Sequence, residues 1–219
     1  MGPIQSIIVF NGGSAGDFIK SVSIEQLELK SIHRLTDKGM IEFKNHYFKL
    51  ITTKWFEEKF QLPIEVDNNE VFKVENTHYY HECFRQFTDN IFYIDYPETL
   101  QPLIVKLYIK KRWETNIPGL IRHHLASIPE GLRQRVTPDN IEQILNILWN
   151  KNIKNWRTIP ELKKIELQDL LNYDCLKLLV EDIIQGPVVD PEQLLRSQQL
   201  WVEKNQELVN FFRIPSDSI

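Results

Sequence analysis

Ser6-Ile-Ile-Val-Phe-Asn-Gly-Gly-Ser-Ala-Gly-Asp-Phe-Ile-Lys-Ser21 is the stretch on which the fold turns. Ile7 to Phe10 form a short, uncharged, mostly β-branched run, which reads as a strand buried on both faces. Asn11 to Gly16 then place three glycines and a serine within six residues. From Asp17 onward, Phe18, Ile19, Val22 and Leu27 carry the spacing of a helix. Strand, glycine-rich turn and helix in that order make an anion cradle. Glycine lets the backbone approach a ligand closely. The unpaired amides of a helix start point at whatever negative group sits there. The alternative is a tight strand-to-helix turn that holds no ligand.

A nucleotide-hydrolysing P-loop needs Gly-x-x-x-x-Gly-Lys-Ser/Thr. Gly12 to Gly16 is one residue short of that spacing, and Asp17 stands where the motif has lysine. Lys20-Ser21 lies a turn further on. Asp17 is expected to cap the helix, since a carboxylate is favourable there. The turn therefore predicts an anion site but not a standard ATPase.

The 219 residues suffice for one α/β domain, with residues 1–116 as a strand-rich, nucleotide-binding half and 117–219 as a mainly helical half packing on it. An apolar content of 42% and a charged content of 26% predict a folded globular protein. No uncharged run is long enough to span a bilayer, and no signal peptide is expected. A formal charge of −4 gives no support for nucleic-acid binding. Cys83 and Cys175 make no disulfide framework, which suits a reducing, cytoplasmic setting.

The first half continues as alternating elements. A helix or a pair of short helices is expected from Ile24 to Asp37, a strand or hairpin over Ile41 to Ile51, a helix over Thr52 to Phe60, and a strand beginning at Leu62. Val71 to Glu75 reads as a strand, and Thr77 as the cap of a helix reaching Phe87. Asn90 to Asp95 is the next strand, and Pro97 leads an amphipathic helix over Leu100 to Trp113. This alternation predicts a three-layer parallel sheet of P-loop type. In the second half, helices are expected over Pro118–Ser127, from Pro138 to about Lys151, and around Trp156. A last strand falls within Pro160–Leu167, a helix over Tyr173–Ile184, and one long helix over Pro191–Phe212. Ser216 to Ile219 reads as a loose tail.

This order, with strand, Gly/Ser loop and helix, then a strand ending in Thr77-His78, then a strand followed by a proline-led helix, resembles the sulfotransferase family. Trp156, Ile159-Pro160, Leu167 and Asp169-Leu170 before a helix are similar as well. The resemblance implies a P-loop-like fold and transfer of a sulfuryl group from 3′-phosphoadenylyl sulfate to a hydroxyl or amine, with a small-molecule or glycan acceptor. It implies that Gly12, Gly13, Ser14, Ala15, Gly16 and Asp17 take the place of the family's Pro-Lys-Ser-Gly-Thr-Thr loop, which grips the phosphosulfate. It implies that His78 is the base, where many members carry Lys-Thr-His. Lys20 would neutralise the leaving group, because Gly13 replaces the family's loop lysine. The 3′-phosphate site, Arg-Asn-Pro in the family, reads Asp95-Tyr96-Pro97 here. Asp95 and Glu98 would repel a phosphate, which would then fall to Lys106, Lys110 or Arg112.

Other readings stand beside this one. Asp95 would be the metal-side carboxylate of a magnesium-dependent P-loop kinase. The missing lysine and arginine also fit a catalytically inactive binding protein of the same fold. His78-x-x-His81, beside Glu82 and Cys83, shares a helix face. Yet no second ligand pair completes a metal site, and no metal is expected. His123 and His124 read as surface or packing residues. Lys106, Lys110, Lys111 and Arg112 otherwise form a solvated helix face, and the tryptophans read as core. Nothing in the residues fixes an oligomeric state.

Overall fold

A computed structural model describes residues 5–27, 33–35, 41–43, 74–78, 80, 82–86, 88–113, 136, 137 and 139–213. The central sheet holds β1 (Ser6–Val9), β4 (Val74–Thr77), β5 (Ile91–Asp95) and β6 (Lys163–Glu166), in the order β4-β1-β5-β6. All three pairings are parallel. Two further strands, β2 (His33–Leu35) and β3 (Ile41–Phe43), form a separate antiparallel pair. Among the described residues the helices are α1 (Gly16–Glu25), α2 (Gln101–Trp113), α3 (Ile141–Arg157), α4 (Tyr173–Ile184), α5 (Pro191–Lys204) and α6 (Gln206–Arg213). The chain is thus an α/β protein with a parallel sheet and a mostly helical second half, and β6 from that half completes the sheet.

β1 and β5 are buried along their whole length. Ile7, Ile8 and Val9 are fully buried, as are Ile94 on β5 and Ile19 on α1. A strand with neighbours on both edges and packing on both faces carries a continuous apolar run, not an alternating one, as Ile7–Val9 does. Each fully buried isoleucine contributes about 2 kcal/mol relative to exposure. α1 packs against β4, α4 and α5, whereas α2 packs against α3. From β1 the chain leaves toward β4, and from β5 it leaves toward β6. β1 and β5 lie side by side, and their onward connections lead in opposite directions. The C-terminal ends of β1 and β5 therefore meet at the switch point where such sheets bind ligands.

Several expected elements change shape. The helix or pair of short helices expected from Ile24 to Asp37 gives way to a strand: α1 closes at Glu25, and His33–Leu35 is a strand paired with Ile41–Phe43. In so short a segment apolar spacing does not separate helix from strand, and the partner strand decides. Thr77 does not start a helix: it pairs with Val9 in the sheet, and the following helix is a short 3₁₀ segment, Glu82–Gln86. Pro97 precedes a 3₁₀ turn, Glu98–Leu100, and α2 begins only at Gln101. The helix expected to end at Lys151 runs on through Trp156 to Arg157, since neither glycine nor proline interrupts it. The long terminal helix breaks at Asn205, whose Nδ2 donates to the Trp201 carbonyl at 2.7 Å while its own carbonyl accepts from the amides of Leu208 and Val209. The parts of the expected elements that fall on residues 28–32, 36–37, 44–51, 52–60, 62–64, 71–73 and 118–127 lie outside the described residues. So do His81, His123, His124 and the tail.

Candidate functional site

The loop between β1 and α1 is a tight turn. The Ser14 amide donates to the Asn11 carbonyl at 3.1 Å, and the Ser14 hydroxyl donates to the same oxygen at 2.6 Å. Gly13 takes a φ of 82°, in the region where a side chain is strained. Ala15 follows in the left-handed region as the residue preceding the helix, and its methyl offers no capping oxygen. The first-turn amides of α1 therefore receive no cap from that residue. Asp17 is not the cap as expected; it is an exposed member of the first helical turn. Gly16 lies so close to the Phe10 ring that a Cβ there would sit 2.2 Å from it. The ring of Tyr108, from α2, covers Gly12. Of the loop residues, Gly13 is exposed, Ala15 is half-buried, and Gly12, Ser14 and Gly16 are buried.

His78 follows β4 and stands across from the end of β1. Its Nδ1 lies 3.1 Å from the Phe10 carbonyl oxygen, and its ring centroid is 4.5 Å from that of Phe10. A carbonyl can only accept, so Nδ1 carries the proton and the lone pair of the neutral ring is on Nε2. This is the tautomer that a base acting through Nε2 needs. The structure thus brings His78 to the start of the glycine loop. Lys20 lies four residues after Gly16 on the same side of α1 and is only 8% exposed. Lys106 is not brought to the loop. Ile104 and Tyr108 are the α2 residues that meet Gly12 and Gly13, and Lys106, exposed, is on the opposite side of the helix. Lys110 faces α6, 3.7 Å from Glu207.

The two carboxylates at the end of β5 do not stand as unpaired charges. The Arg157 guanidinium grips Asp95, with Nε at 3.1 Å from both carboxylate oxygens and an NH2 group at 2.7 Å from one of them. Asp95 also accepts from the Tyr96 amide at 2.9 Å. The same guanidinium donates to the Tyr96 carbonyl at 3.2 Å and lies 4.0 Å from Glu98. Lys154 is 3.3 Å from Glu98. The bond to Asp95 raises the Arg157 pKa above its ordinary value, with burial opposing. The expected repulsion of a phosphate by Asp95 and Glu98 is therefore reduced by two cations from α3.

At the switch point itself, Asn11 Nδ2 donates to the Tyr96 hydroxyl at 3.0 Å and to the Trp149 carbonyl at 3.2 Å. Asn152 Nδ2 donates to Asn11 Oδ1 at 3.2 Å, and the Tyr96 hydroxyl donates to Gln101 Oε1 at 2.8 Å. Burial pushes the Tyr96 phenol well above its usual range. Arg157, Asn11, Tyr96, Asn152 and Tyr108 are the site residues that sequence reading misses. Lys154 and Arg157 in the last turn of α3 were a visible basic pair, but nothing in their spacing named Asp95 or Glu98 as partners. Among the described residues, no group of three or more His, Cys, Asp or Glu is placed to hold a metal, and no helix is long and apolar enough to cross a membrane. Comparison with protein-family models, curated proteins and solved structures returns no match.

Proposed function

We propose that this chain is a sulfotransferase-like protein of three-layer, P-loop-like design, acting in the cytoplasm on a hydroxyl or amine acceptor. The phosphosulfate of 3′-phosphoadenylyl sulfate lies at the exposed rim of the loop, against the first-turn amides of α1. His78 Nε2 takes the acceptor's proton as that oxygen or nitrogen forms its bond to sulfur and the bridging oxygen leaves with the nucleotide. The observation that carries this reading is the contact between His78 Nδ1 and the Phe10 carbonyl, which fixes the base tautomer beside an uncapped helix start.

The kinase alternative is the weaker one, because both Asp95 oxygens are engaged by Arg157. A binding protein of the same fold is favoured by a different observation. The Ser14 hydroxyl is spent on Asn11, and Lys20 is buried. Thermal-shift titration separates the three. Stabilisation by adenosine 3′,5′-diphosphate without magnesium, with turnover of the sulfuryl donor, supports the transferase. Stabilisation without turnover supports the binding protein. Magnesium-dependent stabilisation by ATP alone supports the kinase and overturns the transferase, and no shift with either nucleotide overturns the transferase and favours the non-catalytic protein.

A further inference from the structure

The Asn11 side chain makes three hydrogen bonds that tie the glycine loop to the end of β5 and to α3. Both side-chain donors and the side-chain acceptor are engaged, by Tyr96, Trp149 and Asn152. Its main-chain carbonyl holds the loop through both the amide and the hydroxyl of Ser14. Asn11 is 1% exposed and Ser14 is fully buried, whereas Asn152, on α3, is half-buried. The Ser14 hydroxyl, a donor that a bound anion would use, is turned inward as long as Asn11 is held. We infer that α3 latches the glycine loop shut through the contact between Asn152 and Asn11, and that this latch opposes anion binding at the start of α1. The second clause rests on the functional reading above. Asn152 is the member of the network nearest solvent, and its release removes one of the three contacts that hold the Asn11 side chain, which loosens the loop. Loss of one neutral hydrogen bond shifts such an equilibrium roughly fivefold.

The experiment compares wild type with Asn152→Ala, a change that suits a helix. Amide exchange at Ser14 is measured without ligand, and affinity is measured for adenosine 3′,5′-diphosphate. The latch predicts roughly fivefold faster exchange at Ser14, unchanged exchange at Ile91–Asp95, and tighter nucleotide binding by a similar factor. A residue that merely supported the site would weaken binding. Unchanged exchange at Ser14, or faster exchange with weaker binding, overturns the latch. Asn152→Ser, too short to reach Asn11, is the second variant. Equal acceleration of loop and β5 amides in both variants also overturns it. If neither wild type nor variant binds the nucleotide, the functional reading and the gating clause fail together. The exchange data still decide whether α3 holds the loop.

Discussion

His78 and Phe10 meet across the edge of the β4–β1 pair, with the imidazole Nδ1 3.1 Å from the main-chain oxygen that opens the glycine loop. The contact ties the protonation form of the ring to the backbone of the loop. If His78 is the base, His78→Ala lowers the transfer rate by about a hundredfold to ten-thousandfold. Nucleotide affinity should hardly change, because the loop amides are main-chain groups. The check is a pair of measurements on one preparation: turnover, and the dissociation constant for adenosine 3′,5′-diphosphate. Equal loss in both would mean that His78 supports the loop rather than the chemistry.

Asp95 is 5% exposed, and its charge is compensated by the fork of Arg157. Arg157→Ala would leave that carboxylate buried and unpaired. Removing one partner of a fully buried pair costs ~3–5 kcal/mol, and the partial exposure of Arg157 lowers this to about 2 kcal/mol. Asp95→Asn combined with Arg157→Ala should recover part of the loss, because the buried charge goes with its partner. Urea unfolding of the three variants measures the coupling. A double variant as unstable as the sum of the singles would show that the pair contributes little.

The sequence made the local elements legible and left the long-range pairings hidden. The uncharged run at Ile7–Phe10, the glycines after it and the apolar spacing from Phe18 announce β1, the loop and α1 without further information. Ile91–Asp95, Lys163–Glu166 and Tyr173–Ile184 are likewise visible in their patterning. What composes the site, however, is brought together across long separations. Asn11 meets Tyr96, Trp149 and Asn152, and Asp95 meets Arg157. No local periodicity encodes such contacts, since they arise from which strand lies beside which. The break at Asn205 was hidden for another reason: Leu194, Trp201 and Leu208 keep a seven-residue apolar spacing straight through it.

Gly16 and Phe10 give a steric test of the loop. An added Cβ at Gly16 would meet the Phe10 ring at 2.2 Å, so Gly16→Ala forces a shift in a packed core and costs about 1–3 kcal/mol. Trimming the ring by Phe10→Leu removes the obstacle, and the double variant should be more stable than the two single costs added together predict. Denaturant midpoints with unchanged slopes would establish this. Full additivity would show that the cost of Gly16→Ala arises elsewhere.

Glu25, in the last turn of α1, links stability to pH. Burial raises its carboxyl above the ordinary value of 4.5, while hydrogen bonds from Ser197 and Ser21 pull the other way. Because the folded protein holds the proton more tightly than the unfolded chain, the native state is favoured while Glu25 is protonated. That contribution is fully present below pH 4.5 and is lost as pH rises through the higher, folded value. At neutral pH the half-buried carboxylate is therefore a net cost relative to its neutral form. Glu25→Gln keeps an acceptor for the Ser197 hydroxyl, which lies 3.1 Å away in the wild type, and removes the charge. The variant should be more stable than wild type at pH 7, and the difference should shrink as the pH falls toward 4.5, where the wild-type side chain becomes neutral too. Unfolding curves across this range measure the effect. A gap that stayed constant with pH would assign it to packing rather than to ionisation.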